Sequence, residues 1–387
     1  MRVFLDHAST TPLRPEAKVA LTNALELTGN PSSVHSSGQL TRALVEDARD
    51  QLASAAKCNR SEVIFTSGGT EANNQAIKGL YWSSGKRLII SSPTEHHAVI
   101  DPIEWLVANQ GAEVHWLSVN RKGEVDLAEL AELLEARGSE VALIALMWVN
   151  NETGVISDIP AVTAIAKKFD IPVHCDAVAA FGNIDIDFAA SGLSTMAISG
   201  HKVGAPIGIG ALIVGRSVKP SSLVHGGSQE RSLRSGTLSY PMIASFGAAA
   251  VAAMADLPGR EQRLGKLRSE LERRVQELVP DAIVTAADSN RVPHNAHFIF
   301  PGAQSDNLLF LLDQAGISAS AGSACTAGVL APSHVLIGMG IDPELADCAI
   351  RATLGHTTDA SDIDAFVSAI HSAYPVAVRE PANQKAI

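Results

Sequence analysis

Three short stretches of this chain carry side chains that could do chemistry together. Ser199-Gly200-His201-Lys202 closes a run of small apolar residues and leads into Gly204-Ala205-Pro206-Ile207-Gly208. A lysine where a strand ends at a cleft can be stripped of water and its amine pKa lowered, as Schiff-base chemistry requires. Alone, such a lysine is more often a solvated loop residue. Ser67-Gly68-Gly69-Thr70-Glu71 follows the strand-like Val63-Ile64-Phe65-Thr66 and opens a helix. Free backbone N–H groups at a helix start, with the dipole behind them, make a phosphate seat. The stretch is neither a Gly-x-Gly-x-x-Gly turn nor a P-loop, and many such turns are only turns. His174-Cys175-Asp176 ends another strand. An Asp there could hold a protonated pyridine nitrogen, the ion pair that lets pyridoxal phosphate act as an electron sink. Its commoner role is to cap the next helix, and His-x-Asp with no third ligand placed by spacing does not make a metal site. Together the three stretches supply a phosphate seat, an amine and a pyridinium partner at strand ends of one sheet. Packing gives no reason for that coincidence.

A fourth stretch, 318–328, reads Ser-Ala-Ser-Ala-Gly-Ser-Ala-Cys-Thr-Ala-Gly. Residues this small predict a segment with little to anchor it in a core. Cys325 should therefore be within reach of solvent and substrate, as a nucleophile must be. Cys58, Cys175 and Cys348 lie in helix or strand contexts, where cysteine is usually buried and inert.

For these stretches to meet, the chain needs a frame of alternating strands and helices. Apolar runs at 63–66, 88–91, 113–117, 141–146, 173–176, 196–199 and 210–214 predict seven strands. Helical stretches near 100–108, 127–136 and 160–168 fall between them, and Leu40, Ala43, Leu44, Ala48 and Leu52 predict a helix over 38–56. That alternation predicts an α/β fold with a mainly parallel sheet and its site at the strand C-terminal ends. The composition changes near Leu257-Pro258-Gly259. A charged helix over about 260–278 follows, then strands at 283–285 and 297–300, a helix at 306–314 and a last helix from about 361. These predict a smaller α+β domain.

The net charge of -11, from 30 Lys and Arg against 41 Asp and Glu, argues against nucleic-acid or anionic-membrane binding. With 46% hydrophobic and 18% charged residues the chain reads as compact and globular. Charge interrupts the first residues too early for a secretory segment, and no apolar run is expected to reach spanning length. Four scattered cysteines without a CxxC pair argue against a disulfide scaffold or a structural zinc site. A cytoplasmic location is expected, with no metal.

Further motifs stand in order along the chain: Asp6-His7-Ala8-Ser9-Thr10-Thr11-Pro12, Gly29-Asn30-Pro31-Ser32-Ser33-Val34-His35, 66–73, Thr94-Glu95-His96, Val149-Asn150-Asn151-Glu152-Thr153-Gly154, 199–202, Arg234-Ser235-Gly236-Thr237 and Gly322-Ser323-Ala324-Cys325-Thr326. In that order the chain resembles the cysteine desulfurases, in the class V branch of pyridoxal-phosphate aminotransferase-like enzymes, over essentially its whole length. The resemblance implies a fold-type I pyridoxal-phosphate transferase, with a large cofactor-binding domain at 15–257. Residues 1–14 and 258–387 would form the small domain that carries the cysteine loop. Lys202 would carry the cofactor, Asp176 would pair with the pyridine nitrogen, and Gly69, Thr70, Ser199 and His201 would hold the phosphate. Thr237 would come across a homodimer interface. His96 would stack on the ring and relay protons, Asn151 would contact the phenolic oxygen or the substrate, and Arg351 would grip the substrate carboxylate with its planar fork. The family usually places a glutamine three residues after the Asp, donating to the phenolic oxygen; here Ala179 stands there. A neutral hydrogen bond is worth only about 1 kcal/mol net, so binding should survive its loss.

The expected reaction takes L-cysteine to L-alanine, with Cys325 receiving sulfur as a persulfide for an acceptor protein. Iron–sulfur cluster assembly and tRNA thiolation would both use it. The rivals are selenocysteine lyase, transamination (which needs no nucleophilic cysteine) and a degenerate, non-catalytic scaffold.

Overall fold

The computed structural model describes residues 2–322 and 331–378. Its main feature is a seven-stranded sheet in the order Val63–Thr66, Gly210–Val214, Thr195–Ser199, Val173–Asp176, Val141–Met147, Leu88–Ser91, Glu113–Trp116. Gly210–Val214 runs antiparallel to both neighbours, and the other adjacent pairs are parallel. Parallel strands are covered on both faces and so read as continuous apolar runs; all seven residues of Val141–Met147 are buried. The seven expected strands are all present, and the fold is the mainly parallel α/β architecture that the alternation predicts.

Local chemistry sets the helix ends. The helix expected over 38–56 runs Ser36–Ala56, begun by the His35 side chain accepting from Gly38 N and ended at Lys57 in the left-handed region. Asp126 accepts from Ala128 N and Glu129 N to start Leu127–Arg137, and Asp158 accepts from Ala161 N to start Ile159–Lys167.

A second sheet is antiparallel, in the order Ala349–Thr353, Asn295–Ile299, Ile283–Val284. Helices Ser305–Gln314 and Ala360–Val378 pack with it around a separate apolar core that includes Phe298, Phe300, Leu308 and Phe366. The N-terminal strand Val3–Phe4 crosses to pair in parallel with Ile317–Ser318, and Leu5 enters that core.

One expectation about the join is corrected. The composition break at Leu257-Pro258-Gly259 lies inside a single 39-residue helix, Tyr240–Leu278, not at the start of a new one. Proline removes one backbone donor and crowds the preceding turn, but packing outweighs that local cost. Ile243, Phe246, Ala249 and Ala253 enter the large sheet's core, while Leu264, Leu271 and Val275 enter the second. Arg260 Nη1 also donates to the Ala253 carbonyl a turn before the proline (3.3 Å). This helix is long and apolar enough to cross a membrane by length and composition, with an 18-residue window of mean hydropathy 1.4, contrary to the sequence expectation. Half of that window is buried, and the helix packs on Pro15–Leu25 and Ser36–Ala56, as a core helix does.

Phe246 is fully buried and meets Phe181 edge-on at 6.3 Å. Phe246→Ala should lower the unfolding free energy by about 3–5 kcal/mol, read from the denaturant midpoint by circular dichroism. A midpoint equal to wild type would show that the helix does not depend on this contact.

Candidate active site

The strand Val63–Thr66 passes through Ser67-Gly68 into helix Gly69–Ser84. A Cβ on Gly69 would lie 2.5 Å from Val178 Cγ2, so only glycine lets the helix start pack this close to the loop after Asp176. Gly69, Thr70 and Asn73 line a cleft of about 390 Å³, a size typical of small-molecule sites. Ser199 and His201, at the end of strand Thr195–Ser199 and in the turn after it, line the same cleft. Ser199 Oγ and His201 Nδ1 are buried there without a partner among the described residues. Unpaired polar atoms grouped at a helix N-terminus fit an anion such as a phosphate. Arg234 Nε donates to Glu71 Oε1 (2.9 Å), tying the 234–237 segment to the same helix start.

Lys202 reaches the cleft from the short turn Gly200–Lys202. Its Nζ donates to the carbonyl oxygens of Ala8 and of Ser9 (2.8 Å), so the N-terminal segment closes over it. Burial pulls the amine down to about 8, the Arg351 charge pulls it the same way, and Asp6 and Asp176 oppose them. That is the tuning a Schiff-base lysine needs. Asp176 ends strand Val173–Asp176 and is buried; Oδ2 accepts from Asn73 Nδ2 (2.7 Å) and Oδ1 from Val178 N (2.9 Å). Turns, not a helix, follow Asp176, and the next helix, Phe188–Ser191, is capped by Asp187, so the commoner helix-capping role does not apply to Asp176.

Arg351 sits on strand Ala349–Thr353 and faces the cleft from the second sheet. Nη2 pairs with Asp6 Oδ1 (2.9 Å), Nη1 donates to Asn151 O (2.8 Å), and Nε is buried without a partner among the described residues. Asn151 is placed by its neighbour: Asn150 Oδ1 accepts from the backbone N–H of Glu152 and Thr153 (3.0 and 2.9 Å), closing an Asx turn. Gly154 completes it at φ 77°, where a Cβ would stand 2.8 Å from Asn295 Cβ. Asn151 Oδ1 has no partner among the described residues. His96 caps helix His97–Gln110, its Nδ1 accepting from Ala98 N (3.0 Å), which leaves Nε2 to carry the proton. Burial lowers the His96 pKa; Asp176 opposes this, and Lys202, His97 and His334 add to it, so the ring is neutral at neutral pH. Burial and the Lys202 charge bring His201 down to about 4. Ala179 lines this cleft and also a tighter cavity behind it, shared with Lys202, Asn183, His7, His294 and His356.

Lys202, His96, Gly69, Thr70, Asn151, Asp176, Ser199, His201 and Arg351 thus share one cleft. Thr237 is exposed and does not line the cleft of its own chain. Cys325 lies outside the described residues; Ser320 and Gly322, just before it in sequence, line the cleft. Burial raises the other three thiols: Cys58 to about 12, aided by Glu62, with Cys175 and Cys348 also raised. None of those three is a ready thiolate. Sequence reasoning did not assign roles to Asp6 or Asn73. Asn73 stands one helical turn after Gly69, a spacing that could have placed it on the cleft face; nothing local marks Asp6 as the partner of Arg351.

The residues of the cleft fit pyridoxal phosphate: a helix-start seat with polar atoms free to bind it, an amine with lowered pKa, and a carboxylate at a neighbouring strand end. Fold and cleft define a pyridoxal-phosphate-type enzyme. The model of the class-V aminotransferase family matches residues 3–366. The IscS-like cysteine desulfurase of Mycobacterium tuberculosis is 44% identical over 96% of this chain and 95% of its own. The cysteine desulfurase NifS of Azotobacter vinelandii is 36% identical over 94% and 90%. A NifS-like protein from Rickettsia africae superposes with a TM-score of 0.88 at 32% identity, covering 97% of this chain and all of that one. The chain belongs to the cysteine desulfurases of the class-V aminotransferase family.

Asp6→Asn removes a carboxylate that favours the charged amine and frees the Arg351 guanidinium. The Lys202 amine of cofactor-free protein should then titrate below about 8, read by carbon NMR of reductively methylated protein with Lys202→Arg to assign the signal. An unchanged titration would remove Asp6 from the tuning of Lys202.

Proposed function

We propose that this enzyme takes sulfur from L-cysteine and releases L-alanine, with pyridoxal phosphate held at Lys202 and Cys325 receiving the sulfur. The observation that carries this reading is the meeting of Lys202, Asp176 and Arg351, from two sheets, in one cleft. Gly69, Thr70, Ser199 and His201 would bind the phosphate, and Asp176 the pyridine nitrogen. When bound, the cofactor supplies an electron sink for the charge left at the substrate Cα. Arg351 would turn to the substrate carboxylate its Nε, unpartnered among the described residues, and the fork that Asp6 and the Asn151 carbonyl hold. Lys202 Nζ, or His96 through Nε2, moves the Cα proton. Asn151 turns its amide to the phenolic oxygen or the substrate, the only side-chain amide proposed for that place now that Ala179 stands where a glutamine is usual.

The Cys325 thiolate then attacks the substrate sulfur. A sulfur–sulfur bond forms, the Cβ–S bond breaks, Cβ takes a proton and Cα regains the one it gave up, so the products are alanine and an enzyme persulfide. Gly322 lines the cleft three residues before Cys325, and three residues span at most about 11 Å. That reach, and the raised pKa of the other thiols, support Cys325 as the acceptor. The persulfide would pass to an acceptor protein of iron–sulfur cluster assembly or tRNA thiolation, in the cytoplasm. A homodimer would bring Thr237 to the partner's cofactor. Residues 15–257 and the pair 1–14 with 258–387 are proposed as the two domains, supported by the two separate apolar cores.

With a reductant present, L-cysteine should give equal amounts of alanine and sulfide. Cys325→Ala should bring both to background while keeping the cofactor's visible absorbance, and Lys202→Ala should lose that absorbance. Wild-type protein that binds the cofactor and forms no alanine would overturn the reading.

A further inference from the structure

Behind Asp176 lies a row of polar side chains sealed from solvent. Asn73, His174 and Thr195 are each 0% exposed. His174 stands two residues before Asp176 on the same strand, hence on the same face, and Thr195 is its register partner on the next strand. Asn73 Nδ2 lies 2.7 Å from Asp176 Oδ2, Asn73 Oδ1 lies 2.9 Å from His174 Nε2, and His174 Nδ1 lies 2.9 Å from Thr195 Oγ1.

The donor directions follow from the chemistry of the groups. A carboxylate only accepts, so Asn73 presents its NH2 to Asp176 and its carbonyl oxygen to His174. His174 must then carry its proton on Nε2. Burial holds its pKa down to about 3, so the ring is neutral and Nδ1 is left to accept from the Thr195 hydroxyl. Donation runs one way, from Thr195 to His174 to Asn73 to Asp176, and each bond polarises the next. Three buried polar side chains are a poor choice for packing a strand against a helix, since each costs free energy unless paired. Here every one is paired, and the row ends on the carboxylate of the cleft. Around that carboxylate stand the buried Glu95 carboxyl, the neutral His96 and the Lys202 amine.

We propose that Asn73 and His174 are positioning residues, which hold the Asp176 carboxylate in one orientation for the pyridine nitrogen of the cofactor. The inference rests on the cofactor reading above. Asn73 takes one carboxylate oxygen and Val178 N the other, so the group cannot rotate without breaking a bond. His174 keeps the Asn73 amide from flipping, because a flipped amide would set its NH2 against the Nε2–H of His174 as well as its carbonyl oxygen against the carboxylate.

The test compares Asn73→Ala, His174→Leu and His174→Gln. Glutamine can donate to Asn73 and accept from Thr195; leucine can do neither. Cofactor-free protein is titrated with pyridoxal phosphate, and the loaded protein is examined by visible absorbance from pH 6 to 9 and for kcat and KM with L-cysteine. Asn73→Ala should weaken cofactor affinity by about tenfold or more, the worth of one hydrogen bond to a charged group. It should shift the absorbance profile and lower kcat more than it changes KM. His174→Leu should move the same readouts in the same direction, and His174→Gln should restore them. If Asn73→Ala does not fold, the leucine and glutamine variants decide the matter alone. Affinity, absorbance and kcat equal to wild type in His174→Leu, whatever its melting temperature, would reduce the row to packing and overturn the inference. Failure of wild-type protein to bind the cofactor would instead sink the cofactor reading.

Discussion

A lysine amine kept from water, between the carbonyl oxygens of Ala8 and Ser9 and among the charges of Arg351, Asp6 and Asp176, sets the terms for the rest of this structure. An ammonium in such a place is costly unless its surroundings return part of the lost hydration. The carbonyls and two carboxylates return some of it; burial and the guanidinium take more away, so the amine sits near neutrality. Three features of the fold set that balance. The strand ends bring Lys202 and Asp176 side by side, the second sheet delivers Arg351, and the N-terminal segment closes the top and brings Asp6.

That arrangement needs two cores held at a fixed relation. The 39-residue helix Tyr240–Leu278 does this by contributing its first half to one core and its second half to the other. The N-terminal segment supplies a second tie: Val3–Phe4 pairs with Ile317–Ser318 within the second core, and Thr11 N and Arg14 N donate to the carbonyls of His201 and Gly204 on the large sheet's side. Because Arg351 and Asn151 come from different cores and are hydrogen-bonded to one another, movement between the cores would be felt directly at the substrate carboxylate.

Much of this was legible in the sequence, for local reasons. Seven buried strands announce themselves as short apolar runs. The cofactor side chains lie at the ends of those runs, where Gly-rich turns and small residues mark the change from strand to helix. Other parts were hidden because the local signal points elsewhere. Ala349-Ile350-Arg351-Ala352-Thr353 carries an arginine at its centre, and it is a strand because Asn295–Ile299 pairs with it on one side and Ser320 and Asp6 bridge to it. Pro258 and Gly259 read as a stop, and the helix continues because both of its halves are buried.

By itself, the sequence determined the class of fold, the order of the strands along the chain and the kind of chemistry, since hydrophobic period and turn chemistry are properties of neighbours. Only the tertiary structure decided which distant groups share a charge. Asp6 and Arg351 are 345 positions apart, and Asn73 and Asp176 are 103 apart. No local pattern encodes such a pairing. It arises when the sheet order and the crossing of the N-terminal strand bring those backbones together, and the low dielectric of the closed cleft then makes each charge answer to the others.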